Sequence, residues 1–127
     1  MRIYISHPIA GKSEEEKVRS EKEGAYYAER MLNGSPVLPR QIPPACDQGY
    51  GDQSLDGCGI PGKVLPGDSH SVQCYMRGDI IEMLTCDAVL VMPGWEMSAG
   101  CRDEVNTAAM TGIPIHFYTE SSGVAAR

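Results

Sequence analysis

The chain predicts an α/β fold: a three-layer sandwich built on a small parallel sheet, flavodoxin- or Rossmann-like, with one long Gly/Pro-rich insertion. Three observations carry this. Short apolar stretches alternate with segments whose apolar residues recur at helical spacing. Asp87-Ala88-Val89-Leu90-Val91-Met92 is a nearly continuous apolar run, as a central parallel strand buried on both faces requires. With right-handed crossovers, that alternation puts helices on both faces of the sheet.

Taken in order, Ile3, Tyr4 and Ile5 lead a short strand over 2–6. The stretch His7-Pro8-Ile9-Ala10-Gly11-Lys12 reads as a loop, since Pro8 breaks a helix. Ser13 and Glu16 form an S-x-x-E capping box, opening a helix to about Leu32 that Asn33-Gly34 stops. Its expected buried stripe is Val18, Ala25, Ala28 and Leu32. Pro36-Val37-Leu38 is a second short strand. A second helix is expected from near Tyr75, with Met76, Ile80, Ile81 and Leu84 at helical spacing. After the apolar strand, Pro93-Gly94 ends the run. A third helix is expected from about Gly100 to Thr111, with Val105, Ala108 and Ala109 inward, and the last strand from Ile113 to Tyr118.

One domain of 127 residues fits this pattern. Its exception is 39–73, where 11 of the 23 Gly and Pro residues lie without periodicity, as in a lid. Eleven basic and 17 acidic residues leave a charge of −6, which argues against a nucleic-acid or acidic-membrane surface. No apolar run approaches a membrane span and no secretory signal is visible, so a cytoplasmic location is expected.

Ligands of open parallel sheets bind beyond the carboxyl ends of the strands. Three loops meet there: His7–Lys12, the start of the insertion after Leu38, and Pro93–Ala99, the third leading into a helix. The amides of Ala99, Gly100, Cys101 and Arg102, with Ser98 beside them, make a candidate anion cradle; the competing reading is an ordinary serine cap. Glu104 and Asp79 are the two candidate acids, and a pair of carboxylates suits cleavage of a glycosidic bond. Asp87 falls at the opposite edge and reads as a turn residue. Ser6 to Ser13 is one residue short of a P-loop, but Ser6 replaces its first glycine and Pro8 removes an amide the phosphate would need.

Five cysteines occur. Cys46, Cys58, His70 and Cys74 read C-x11-C-x11-H-x3-C, a ligand set zinc accepts in a spacing unlike familiar fingers. The sequence-based expectation is scattered thiols, with no metal and no cofactor. Cys86 and Cys101 read as small buried residues and His116 as a structural strand residue.

Tyr75-Met76-Arg77-x-Asp79, Cys86-Asp87-Ala88, Pro93-Gly94-Trp95-Glu96-x-Ser98-x-Gly100, Glu104, Ala108 and Gly112-Ile113-Pro114 together resemble the nucleoside 2-deoxyribosyltransferase superfamily, which includes 2′-deoxynucleoside 5′-phosphate N-hydrolases. The closest likeness is to a small uncharacterised bacterial and phage branch. Ile3-Tyr4-Ile5-Ser6-His7-Pro8-Ile9-x-Gly11 resembles the family's opening strand and base-binding loop. The resemblance implies Glu104 as the catalytic glutamate and Asp79 as its partner in proton transfer. It implies His7, Pro8, Ile9 and Gly11 around base and sugar, and Gly94, Trp95, Ser98, Ala99 and Gly100 along the rest of the substrate. A serine at 98 favours a 5′-monophosphate; the family's hydrolases often have an arginine where this chain has Ala10.

The implied activity is therefore N-glycosidic hydrolysis of a (deoxy)nucleoside 5′-monophosphate. The alternatives are a deoxyribosyltransferase, a non-catalytic nucleotide-binding module, and an accessory protein using 39–73 as an interaction loop. A homo-oligomer is also implied.

Overall fold

The computed structural model describes residues 1–54 and 57–119. The chain divides into two compact units, one of Met1–Pro39 with the segment from Cys86 onward, the other Arg40–Thr85. The second unit takes in most of the insertion expected at 39–73 and continues through the following helix.

The first unit holds β1 (Arg2–Ser6), α1 (Glu14–Arg30) and β2 (Ser35–Val37), then β3 (Ala88–Val91), α3 (Ala99–Thr111) and β4 (Ile115–Phe117). All pairings are parallel, in the order β2-β1-β3-β4. Ile5 lies opposite Leu90, and Leu90 opposite His116. The fold class is the expected one, a small α/β sandwich. β2 is as long as predicted but set one residue earlier, because Leu38 leaves the ladder, and β4 is shorter than the predicted 113–118, because only Ile115–Phe117 pair with β3.

Side chains alternate along β1. Ile3 and Ile5 join Tyr27 and Ala28 of α1, with Ala88, Leu90, Met92 and Tyr118, in one apolar core. Tyr4 and Ser6 turn to the opposite face, where they meet α3. The first unit is thus three layers, α1, sheet and α3.

Ser13 caps α1 as expected. Its hydroxyl accepts from the Glu16 amide at 3.1 Å, and the Glu16 carboxylate accepts from the Ser13 amide at 3.1 Å. Ser13→Ala is expected to lower stability by about 1 kcal/mol, read as a shift in a urea unfolding midpoint. The buried stripe differs from the predicted one. It runs through Glu21, Gly24, Tyr27 and Ala28, while Val18 is exposed. The reason is close packing: a Cβ on Gly24 would stand 2.7 Å from the Ile5 side chain, so only glycine lets α1 settle on β1.

On α3 the inward residues are Cys101, Glu104 and Ala108, not Ala109, which is exposed. A polar residue therefore occupies the stripe that an apolar pattern assigns to its neighbours. Asp87 behaves as a turn residue: its carboxylate accepts from the Arg2 amide at 2.7 Å and its own amide donates back to Arg2 at 2.8 Å.

The second unit contains the 3-10 turn Ala45–Gln48 and α2 (Val72–Met83). Helix α2 begins earlier than the apolar spacing predicts because Ser71 caps it, accepting from the Cys74 amide at 3.0 Å. An antiparallel bridge, Val64 with Ser71, ties the loop to the helix start. Among the described residues no helix is long and apolar enough to cross a membrane.

Candidate functional site

The strand order reverses between β1 and β3, the switch point at which open parallel sheets bind ligands. The loops leaving these two strands touch: a Cβ on Gly94 would lie 3.5 Å from the Pro8 ring. Pro8, Lys12, Arg19, Met92 and Pro93 line an open cleft of ≈ 180 Å³ there. Glu104 does not line that cleft; it lies under the sheet's other face.

Glu104 is 5% exposed. One carboxylate oxygen accepts from the Tyr4 hydroxyl at 2.5 Å and the other from the Ser6 hydroxyl at 2.7 Å. Helix α3 is thereby joined to β1 by a charged-group hydrogen-bond pair. Burial pushes the carboxyl group's pKa above the ordinary carboxylate range, against the two hydroxyls, which favour the ionised form. Each oxygen keeps further lone-pair capacity for a ligand. The Cys101 thiol, pushed up by burial, lies within reach of the Ser6 and Ser98 hydroxyls on the same side.

Since the folded pKa of Glu104 lies above its unfolded value, its contribution to stability is fully present below about 4.5 and is lost as pH rises through the folded pKa. Removing a hydroxyl that favours the ionised form widens that window. Tyr4→Phe is expected to make the protein lose more stability between acid and neutral pH than the parent does. Urea unfolding across that range checks this; parallel pH profiles for the two proteins would refute it.

Tyr4 and Ser6 are functional candidates that sequence reasoning missed. The available signal was the alternation of β1, which sets two hydroxyls on one face of an otherwise apolar strand. His7 continues that alternation toward α1: it is buried, with Nε2 4.0 Å from the Glu21 carboxylate. Pro8 is buried, Ile9 half-buried, and Gly11 exposed at a φ of 76°. Trp95 is half-buried against Phe117, ring centroids 5.5 Å apart. Ser98 is the N-cap of α3, accepting from the Cys101 amide at 3.3 Å, so the ordinary cap role is filled. Ala99 and Gly100 form the first turn behind it. His116 lies half-buried in β4. Asp79 lies half-buried on α2, in the second unit.

Within that second unit the thiols are not scattered, contrary to the sequence-based expectation. The ligand atoms of Cys46, Cys58, His70 and Cys74 all lie within 4.8 Å of one another. Turns bring them together: Cys46 sits in the 3-10 turn, Cys58 in the loop after Gly57, and His70 and Cys74 flank the capped start of α2. Sγ of Cys46 is 3.1 Å from His70 Nδ1, and Sγ of Cys74 is 3.9 Å from it. The Ser71 amide donates to the Cys58 sulfur at 3.5 Å and holds that thiol down to about 6, whereas burial pushes Cys74 up to about 11. All three cysteines are free thiols.

A family model described as "Domain of unknown function (DUF4406)" matches residues 55–117. The matched stretch includes Asp79, Glu104 and three of the four clustered residues, but not β1. No curated protein matches the chain. No solved structure matches it.

Proposed function

We propose that the protein cleaves the base from a (deoxy)nucleoside 5′-monophosphate, with Glu104 as the nucleophile. The observation that carries this reading is the buried Glu104 carboxylate, held by the Tyr4 and Ser6 hydroxyls on the strand that flanks the switch point. Two hydrogen bonds fix its orientation, and burial removes the water that would otherwise solvate it. In the proposed reaction a carboxylate oxygen bonds to C1′ as the C1′–N bond breaks, and the base leaves with a proton. Water then cleaves the glycosyl ester, returning the carboxylate and releasing the sugar 5′-phosphate. The resemblance assigns the protons to Asp79 and the phosphate to Ser98 and the amides that follow it. No organic cofactor enters this chemistry, and a transferase would differ only in accepting a second base in place of water.

The test is incubation with a panel of nucleosides and their 5′-monophosphates, with free base measured by chromatography. Release from monophosphates but not from nucleosides is the expected result. One observation favours a second reading, a nucleotide-binding module: both Glu104 oxygens already accept hydrogen bonds, and the residue is 5% exposed. Tight binding of a monophosphate with no release from any member of the panel would replace the first reading with the second. The homo-oligomer that the resemblance implies is part of the same proposal, and sedimentation velocity reports it directly.

A further inference from the structure

We propose that Cys46, Cys58, His70 and Cys74 bind one zinc ion that holds the Arg40–Thr85 unit together. The inference is independent of the glycosidase reading and rests on the second unit alone.

Geometry comes first. A tetrahedral zinc site with sulfur at about 2.3 Å and nitrogen at about 2.0–2.1 Å has ligand atoms roughly 3.5–3.8 Å apart. The four atoms here are all within 4.8 Å, and the two distances from His70 Nδ1 to the sulfurs of Cys46 and Cys74 are 3.1 and 3.9 Å. Side-chain rotations that change these separations by up to about 1 Å bring such a set onto one ion. Three thiolates and an imidazole select zinc over the harder divalent cations. Four protein ligands leave no open position, so the site is structural and not catalytic.

The surroundings are those of a ligand set. His70 presents Nδ1 to the thiols and Nε2 toward the Asp47 carboxylate, 3.7 Å away, an orientation that leaves Nδ1 facing the other ligands. Amides face two of the sulfurs: Ser71 toward Cys58 at 3.5 Å, and Cys46 toward Cys74 at 3.4 Å. The loop before α2 is set by Asp68, which accepts from the His70 amide at 3.2 Å and from the Tyr75 hydroxyl at 2.6 Å.

Packing supplies the independent reason. One apolar cluster of this unit, among the described residues, is Ala45, Ile60 and Cys74, with Cys46 and Cys58 packed against it. Three of its five members are therefore the proposed ligands. Units below about 70–80 residues rarely gain more than about 3–5 kcal/mol from a single core and commonly add disulfides or a metal. Helix α2 also approaches the Cys46 turn too closely for any side chain at Gly78, where a Cβ would stand 2.7 Å from the Pro43 carbonyl oxygen.

Metal content of the full chain, purified without a polyhistidine tag from zinc-supplemented medium, tests this. The expected result is one zinc per chain, lost in Cys58→Ser and Cys74→Ser and retained in Cys86→Ser. His70→Cys, which keeps four zinc-compatible ligands, is expected to retain it. Because a serine variant can fail to fold, the parent protein is also stripped with a chelator and titrated with cobalt(II). Intense visible bands of tetrahedral thiolate-bound cobalt are expected, and alkylation before and after stripping should gain three reactive thiols. A folded parent chain that carries no zinc and takes up no cobalt overturns the proposal. So does a disulfide within the cluster, or full zinc retention in the Cys58→Ser/Cys74→Ser double variant.

Discussion

Glu104→Gln is expected to abolish base release, by about 10⁶-fold, as for loss of a covalent nucleophile, while leaving the fold in place. Glutamine has nearly the same shape. Its amide oxygen accepts one of the hydroxyls of Tyr4 and Ser6, and its amide nitrogen donates to the other, so the tie between α3 and β1 survives. What is lost is the anionic oxygen that bonds to C1′. The stability consequence has a defined sign. Burial raises the pKa of Glu104, so ionisation at neutral pH works against the folded state, and glutamine has no charge to desolvate. The variant is therefore expected to melt at the same temperature as the parent or higher at neutral pH. Base release at the parent rate by a folded Glu104→Gln protein would eliminate Glu104 as nucleophile.

Leu90→Ala carries the largest expected stability effect, a loss of about 2–5 kcal/mol for truncating a buried leucine. Leu90 is fully buried in β3, between β1 and β4, and packs in the core formed with Ile5, Tyr27 and Tyr118. A strand paired on both sides cannot shift to fill the space, so the cavity persists. The measurement is the urea midpoint of the full chain, with Ser13→Ala as the small-effect comparison. A loss no greater than that of Ser13→Ala would show that the layer between α1 and the sheet is not the core described.

Much of the first unit was legible without coordinates. The Ser13–Glu16 capping box, the β3 run and the end of α3, where Gly112 takes a φ of 77°, are local: each depends on residues three or four apart, or on an uninterrupted apolar run. Glu104 and Ser98 were also named in advance. Their surroundings were not. The predicted stripes of α1 and α3 each missed by a position or two, because a glycine and a glutamate occupy places that a hydrophobic pattern assigns to apolar side chains. By sequence Tyr4 is a strand former, and only its neighbour across the layer, Glu104, gives its hydroxyl a chemical partner.

The two halves of the insertion problem separate in the same way. Its Gly and Pro content marked 39–73 as irregular, and that much was determined by composition. Composition did not show that the irregular turns converge. Cys46 and Cys74 are 28 residues apart, and no periodicity links them to Cys58 or His70. Their meeting depends on a 3-10 turn, a bridge and the Ser71 cap acting together. The sequence by itself therefore determined the elements and the acid to watch, since helix caps and strand runs are short-range. Only the tertiary structure decided which groups face that acid and that four distant side chains share one point, because such contacts are set by packing across the chain.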